Sequence, residues 1–146
     1  MEIRPGRGVD VVALGESRGE VRSRLGRPQE TADQSDFYGG LVIRYDEAGS
    51  VELVEVTYGG STGIEATLQG VRLTFRPINE VADDLALVGL TGRPSDIGLD
   101  FESGFAIWSM GSLAVRDIDP SASHDDDRVV VEGVSVGSPS YFGFGA

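Results

Sequence analysis

The sequence contains no cysteine and no lysine, and its single histidine is His124. Without cysteine the chain can form no disulfide framework, no thiolate nucleophile and no cysteine-ligated zinc or iron–sulfur site. One histidine leaves little scope for imidazole chemistry. The Gly-x-Ser-x-Gly pattern occurs at residues 15–19, 59–63 and 133–137, but none of these segments joins a predicted strand to a predicted helix, as a nucleophile elbow does. We therefore expect a protein that is not an enzyme and that holds no metal and no cofactor.

Long apolar runs are missing as well. No stretch approaches the roughly 18 consecutive apolar residues of a membrane-spanning helix, and residues 1–10 do not have the pattern of a charged-then-apolar leader. The 146 residues, of which 40% are hydrophobic, suffice for one ordinary core. The composition thus predicts a globular protein that stays in the cytoplasm and does not enter membranes.

Positive charge is scarce: 12 arginines face 24 acidic residues, giving a formal net charge of −12. Nucleic-acid affinity depends on clustered cations, so DNA and RNA are not expected as partners. The acidic field would attract a protein with a basic surface and speed the encounter. Plain solubility is the alternative interpretation of the same charge. The oligomeric state stays open.

Short segments recur in the same order along the chain, about 60 to 66 residues apart, which is the signature of an internal duplication. The matched pairs are Glu20-Val21 with Glu80-Val81, 26–28 with 92–94, 40–45 with 104–109, and 49–56 with 111–118. This pattern predicts two tandem repeats, 1–69 and 70–146, packed as one globular unit.

Each predicted repeat begins with a helix. Ser17 and Glu20 form a capping box that starts the first helix, and Gly26 ends it. Pro77 suits the first turn of the second helix, where Ile78, Val81, Ala82 and Leu85 form one apolar stripe. The remaining chain is rich in β-branched and aromatic residues between turn residues. Strands are predicted over 41–46, 51–58, 71–76, 97–101, 105–110, 113–118 and 129–136. The fold class is therefore α+β, β-rich overall, with each short helical segment packed on antiparallel strands.

The segment 14–28 resembles the helix motif of a known superfamily. Gly15, Ser17, Glu20, Val21, Leu25, Gly26 and Pro28 carry the resemblance, which is to the β-lactamase inhibitor proteins and the small outer-membrane assembly lipoproteins. It implies a short helical segment laid on an antiparallel sheet in each repeat and, by likeness to the tandem inhibitors, a sheet surface that clasps another protein. Because the chain lacks the lipidation cysteine and the disulfide of those families, the resemblance is taken to imply shape and not target.

Strand alternation predicts the binding surface. With Leu41, Ile43, Tyr45, Val51 and Leu53 facing the helices, the opposite face carries Val54, Val56 and the candidate binding residues. These candidates are Arg44, Glu52, Tyr58, Trp108 and Arg116. Arginine, tryptophan and tyrosine are enriched at interface hot spots, so we expect a protein-binding module, for example an inhibitor or a toxin-immunity protein. Two alternatives stay open: Trp108 seals the junction between the repeats, or the protein is a small-ligand carrier or sensor with Trp108 and Tyr58 lining a cleft between the repeats.

Three further segments carry weaker signals. The acidic stretch 124–127 lacks the spaced pattern of a calcium loop and is interpreted as a solvated loop. Residues 59–63 are rich in glycine but lack a following lysine, which predicts a connector and not a phosphate loop. The aromatic segment 138–146 either packs on the edge of the sheet or serves as an adhesive tail.

Overall fold

The fold is built on antiparallel strands in this computed structural model, which describes residues 1–57 and 64–145. The strands are β1 (Ile3–Arg4), β2 (Gly8–Val9), β3 (Glu30–Ala32), β4 (Ser35–Tyr38), β5 (Leu41–Tyr45), β6 (Val51–Thr57), β7 (Thr67–Leu68), β8 (Val71–Arg72), β9 (Arg93–Pro94), β10 (Gly98–Phe101), β11 (Phe105–Trp108) and β12 (Gly133–Gly137). The helices are α1 (Arg18–Leu25), α2 (Ile78–Leu87) and α3 (Val115–Ile118), with a 3-10 helix over Pro139–Phe142. The predicted α+β class, rich in antiparallel strands, is confirmed.

Eight of these strands form one sheet in the order β3-β4-β5-β6-β12-β11-β10-β9. Strands β6 and β12 lie at its centre and pair antiparallel from Leu53↔Gly137 to Thr57↔Gly133. The two halves of the chain, 1–69 and 70–146, therefore each contribute four strands to a single sheet. Two further hairpins, β1–β2 and β7–β8, stand outside it. The duplication itself stays a prediction.

Helix α1 starts where the capping box predicted. The Ser17 hydroxyl accepts a hydrogen bond from the backbone N–H of Glu20 at 3.1 Å, which satisfies one donor that the first turn leaves free. Gly26 follows the last turn with φ of 86°, a backbone conformation that glycine adopts without strain. Val21 is the fully buried side chain of this helix.

Helix α2 also lies where the apolar stripe predicted. Val81 and Leu85 are fully buried, while Ile78 and Ala82 on the same stripe are partly exposed. Asp84 pairs with Arg76 at 2.7 Å, and Asp83 is exposed on the solvent side. A buried apolar stripe with charges opposite is how a helix covers a sheet.

The core lies between the helices and one face of the large sheet, the inner face. Side chains from β5, β6, β11 and β12 point into it because strand residues alternate between faces. Its largest fully buried members are Tyr45, Phe101, Phe105, Ile3, Ile43, Leu73, Leu85 and Ile107. The parallel rings of Phe101 and Phe105 stack with centroids 4.3 Å apart. In β5 the side chains alternate as predicted, with Leu41, Ile43 and Tyr45 buried in this core.

A β-bulge corrects the predicted alternation of β6. Pairing shifts between Arg44 and Tyr45, so that Arg44 faces Leu53 while Tyr45 faces Val51 and Glu52 is the extra residue. An extra residue reverses the facing of every later side chain in its strand. Val54 and Val56 therefore lie in the core, fully buried, although alternation placed them on the opposite face. Leu53, which alternation placed on the inner face, lies instead on the opposite face, paired with Arg44.

The predicted strand over 113–118 is wrong, because α3 occupies Val115–Ile118. Two local contacts account for the difference. The buried carboxylate of Glu132 accepts hydrogen bonds from the backbone N–H groups of Met110, Ser112 and Leu113, at 3.2, 2.9 and 3.4 Å, which uses donors that a strand would need. Asp117 then accepts the backbone N–H of Ala114 at 2.8 Å and so stabilises the first turn of α3.

Other boundaries shift by smaller amounts. The predicted strand 129–136 forms regular structure at 133–137, preceded by isolated bridges at Val129 and Val130. The strand predicted over 71–76 is confined to Val71–Arg72. Strands β3 and β4 were not predicted, because their residues are mostly polar. Within the part of the chain that the structure describes, every helix is too short or too polar to cross a bilayer.

Candidate functional site on the outer face of the sheet

The outer face is the side of the large sheet that points away from the helices. Cross-strand pairs that share this face are Val42↔Glu55, Glu55↔Ser135, Ser135↔Ala106 and Gly133↔Trp108. One covered face and one open face is common in antiparallel sheets, and the open face is then available to partners. This face therefore holds the candidate site.

Trp108 is held in a fixed position on the outer face. Its indole lies against Gly133 on the adjacent strand, where a Cβ atom would overlap the ring. The indole Nε1–H donates to the Ser135 hydroxyl at 3.0 Å. Packing against a glycine and a hydrogen bond together restrict the rotamer of this partly exposed side chain. An ordered aromatic ring with an accessible edge is the type of anchor found at interface hot spots.

Glu55 lies beside Ser135 on the central strand and is partly buried. Burial raises the pKa of the Glu55 carboxyl group, and hydrogen bonding from Ser135 together with the positive charge of Arg44 opposes this in part. Net elevation of the pKa means that the local charges do not fully compensate the ionised carboxylate for its lost hydration. The outer face thus contains an acidic group that would gain from an added cation.

Arg44 and Glu52 form an ion pair at the edge of this cluster. The Arg44 Nε–H donates to Glu52 Oε1 at 3.2 Å, and their side chains are 50% and 33% exposed. The bulge at Glu52 places its carboxylate on the same face as Arg44. An exposed pair of this kind contributes little to stability, so both groups stay available for contacts with a partner.

Residues 138–145, which we call the strap, lie across one end of the outer face. The 3-10 helix of the strap contacts β10, β11 and β12. Arg93 on the edge strand β9 donates to the carbonyl oxygen of Phe142 at 2.7 Å, and its guanidinium lies 4.1 Å from the centre of the Phe144 ring. Tyr141 lies next to Gly137 and remains 45% exposed. The aromatic segment thus packs on the sheet and leaves the end with Trp108 uncovered.

The structure places three of the five predicted site residues on one face of the sheet, but Arg44 is level with Gly137 and Trp108 is level with Gly133, four residues away along β12. Arg44, Glu52 and Trp108 lie on the outer face, on β5, β6 and β11. Arg116 is exposed on α3 instead of on a strand of the sheet, so the alignment that placed it on this face is wrong. Tyr58 lies outside the described residues, as do the glycine-rich residues 59–63.

Sequence reasoning missed Glu55 and Ser135, the two polar residues at the centre of the face. Alternation placed Val54 and Val56 there because it assumed a regular strand. The signal was available in part, since the segment Val54-Glu55-Val56 alternates apolar and polar residues in the register that the bulge imposes. Ser135 occupies the equivalent polar position between Val134 and Val136.

A second polar cluster lies on the inner side, at the carboxylate of Asp36. This carboxylate is fully buried and accepts hydrogen bonds from Arg18 at 2.8 Å, from Arg22 at 2.9 and 2.8 Å, and from Thr31 at 2.9 Å. Burial alone would raise the pKa of Asp36, but the hydrogen bonds from Arg22, Arg18 and Thr31 hold it well below its usual range. The arrangement ties α1 to β3 and β4, which is a structural role.

The acidic stretch 124–127, which was considered as a possible metal site, is largely exposed to solvent. His124 and Asp125 are 94% and 84% exposed, and Asp126 pairs with Arg128 at 2.9 Å. Within residues 1–57 and 64–145, no three carboxylate or imidazole side chains are grouped so as to hold a metal ion. An apolar cavity lies between α2 and β10, and Trp108 is not among its lining residues.

Comparison with known proteins found no relative of this chain. No protein-family model, no curated protein and no solved structure matches the chain. The fold and the outer-face cluster therefore carry the functional argument.

Proposed function

We propose that this chain is a non-enzymatic protein-binding module that recognises its partner with the open part of the outer face. The observation that carries this proposal is the row Trp108, Ser135 and Glu55 on three adjacent strands. An ordered indole stands at one end of the row, and an incompletely compensated carboxylate stands at the other. Tryptophan is among the residue types enriched at interface hot spots.

The chemistry of the row specifies the partner. An arginine or lysine of the partner protein would lie between the indole ring and the Glu55 carboxylate, where it gains both a cation–π contact and an ion pair. The net charge of −12 would steer such a basic surface towards this protein. Binding of a cation would lower the pKa of Glu55, so affinity should weaken as the pH falls and Glu55 takes up a proton.

The strap supports the same proposal from within the chain. It is a short aromatic segment that packs on the outer face, where Arg93 binds the carbonyl oxygen of Phe142 and contacts the ring of Phe144. A sheet face that accepts one such segment has the shape and chemistry to accept another from a partner protein. An inhibitor or a toxin-immunity protein would use a face of this kind to bind a basic target. We propose that this protein does so in the cytoplasm.

The order of strands supports the predicted duplication. From the centre of the sheet outwards the order is β6, β5, β4, β3 on one side and β12, β11, β10, β9 on the other. Each set of four follows one helix, α1 or α2, along the chain. Two related repeats would place their last strands side by side in this way, as the resemblance to the tandem inhibitor proteins implies.

The proposal can be tested with the wild type, two outer-face variants and one control variant. The wild type, the double variant Trp108→Ala with Arg44→Ala, and Glu55→Gln are used to capture partners from lysate of the native cells. A control, Leu87→Ala with Arg72→Ala, removes an exposed apolar side chain and an arginine from the helical side. Each captured protein is purified, and its affinity is measured by calorimetry after all variants are shown to be folded.

The proposal predicts one basic protein that binds with defined stoichiometry. Its affinity should fall at least about tenfold for the double variant and for Glu55→Gln, while the helical-side control binds like wild type. Equal affinity of the outer-face variants and the wild type would overturn the proposal. Failure to capture any protein that binds stoichiometrically would also count against it, and small ligands would then be screened by thermal shift.

A further inference from the structure

A cavity of about 430 Å³ lies between α2 and the end of the β10–β11 hairpin, away from the outer-face row. Ile78 and Ala82 of α2 form one wall, and Leu99 of β10 forms part of the opposite wall. Its volume is within the range of small-molecule sites, which are mostly apolar with a few polar groups.

The rim of this cavity is unusually apolar for a protein with so many charges. Ile97 and Val129 both line it and remain 46% and 44% exposed. Neither side chain belongs to the core cluster, although Ile78 and Leu99 of the same cavity pack against that cluster. Apolar groups left exposed around a concave surface are typical of ligand sites.

The wall opposite α2 is held rigidly. Ser109, which lines the cavity, donates from its hydroxyl to Glu132 Oε2 at 2.9 Å, and the same oxygen accepts the backbone N–H groups that fix the following turn. Gly98 lies so close to β11 that an added Cβ would overlap the carbonyl oxygen of Ile107. The cavity is therefore preformed, which reduces the entropic cost of binding.

The polar groups that line the cavity favour a positively charged ligand. Asp96 is the charged residue of its lining, and its exposed carboxylate forms no hydrogen bond or ion pair with the described residues. Asn79, on the first turn of α2, is likewise exposed, and its side-chain amide has no partner among the described residues. An anion would be repelled by Asp96 and by the net charge of −12, whereas an ammonium group could bind Asp96 and the amide oxygen of Asn79.

We propose that this cavity binds a small organic cation with an apolar body, of the arylalkylamine class. The apolar body packs against Ile78, Ala82 and Leu99, and the ammonium group pairs with Asp96. This site is separate from the protein-binding row on the outer face, and either proposal can fail without the other.

Three probes of nearly equal shape but different charge test this inference. 2-Phenylethylamine, 2-phenylethanol and phenylacetate are titrated separately into the full chain, and backbone amide shifts are followed by NMR. The proposal predicts saturable shifts at Asn79, at residues 96–99 and at Gly111. The amine should bind about tenfold more tightly than the alcohol, and phenylacetate should give no saturable shift.

Matched variants separate binding in the cavity from general attraction to an acidic protein. Asp96→Asn should remove the preference for the amine and leave the affinity of the alcohol within about twofold. Asp83→Asn, on the exposed side of α2, should change neither affinity. Ala82→Phe should fill the cavity and abolish binding of both probes, once its melting temperature shows that it is folded.

Several outcomes would overturn the inference. These are the absence of saturable amine shifts, equal affinity for the three probes, an unchanged amine preference in Asp96→Asn, or an equal loss in Asp83→Asn. Occupation of the cavity by a partner protein, seen as shifts of the same amides only when the captured partner is added, would likewise replace a small cation with a protein side chain as the occupant.

Discussion

The indole ring of Trp108 lies directly against the backbone of Gly133 on the neighbouring strand, and its Nε1–H donates to the hydroxyl of Ser135, two residues further along that strand. The absence of a side chain at position 133 is what leaves room for the ring. This contact fixes the position of the indole ring of Trp108 on the outer face.

Gly133→Ala should displace the indole. The added Cβ overlaps the ring, so the hydrogen bond to Ser135 breaks and unfolding becomes easier by about 1–3 kcal/mol, the usual cost of overpacking. Tryptophan fluorescence reports the change without ambiguity because Trp108 is unique in the chain, and its emission should move to longer wavelength. Gly19→Ala in α1, where the surroundings are open, should instead stabilise by about 0.5–1 kcal/mol. Unchanged emission and stability in Gly133→Ala would contradict the proposed packing.

Asp36→Asn should destabilise the protein near neutral pH. It removes the anion shared by Arg18 and Arg22, at a cost of about 2–3 kcal/mol for charged hydrogen bonds. The cost stays below that of a fully buried pair because the Arg22 side chain is 40% exposed and can be hydrated.

The pH dependence of this variant has a defined sign. Folding depresses the pKa of Asp36, so its stabilising effect is present above the unfolded pKa of about 3.9 and is lost as the pH falls below it. Chemical denaturation of wild type and Asp36→Asn should therefore show a constant difference from pH 5 to 8. The difference should shrink below about pH 4. A difference that grows in acid would contradict this assignment.

Glu55→Gln should stabilise the isolated protein at neutral pH while weakening its binding. Folding raises the pKa of Glu55, so the ionised form carries a cost that is absent below the unfolded pKa of about 4.3 and complete above the folded pKa. The melting temperature of Glu55→Gln should exceed that of wild type at pH 7, and the two should converge at about pH 4. Glu47→Gln, on an exposed turn, provides the comparison and should stay within about 0.5 kcal/mol of wild type.

Arg93→Ala should release the strap from the sheet. The substitution removes the hydrogen bond to Phe142 and the cation–π contact with Phe144. Cleavage within residues 138–145 by chymotrypsin, which cuts after aromatic residues, should become faster, while the global melting temperature changes little because Arg93 is 52% exposed. Arg72→Ala, another half-exposed arginine, should leave the cleavage rate as in wild type. Equal rates in both variants would show that other contacts hold the strap.

The helices could be predicted because their signals are local. Ser17, Glu20 and Gly26 act within one or two turns, and the stripe of Val81 and Leu85 needs only a helical period. The apolar alternation of Leu41, Ile43 and Tyr45 equally identified the inner face of β5. Part of the candidate site followed from it, since Arg44 lies on the face that alternation assigned to it, and Trp108, aligned with Arg44 by the repeat, lies on the same face.

The errors arose where distant residues decide the local structure. Residues 113–118 have β-forming composition, but Glu132 binds the backbone donors just before them and α3 forms instead. Strand β4 contains the buried Asp36, whose charge is compensated by Arg18 and Arg22 of α1, and no local sequence pattern shows that compensation.

The sequence by itself determined the α+β class, both long helices, most of the strands around the core and the acidic charge. These follow from capping residues, hydrophobic period and composition, which act over a few neighbouring residues or over the chain as a whole. Only the tertiary structure decided that the bulge at Glu52 exchanges the faces of Leu53 and Val54, and that Glu55 and Ser135 join Trp108 in one row. Strand register and the burial of polar groups depend on contacts between residues far apart in sequence, and such contacts exist only once the sheet is assembled.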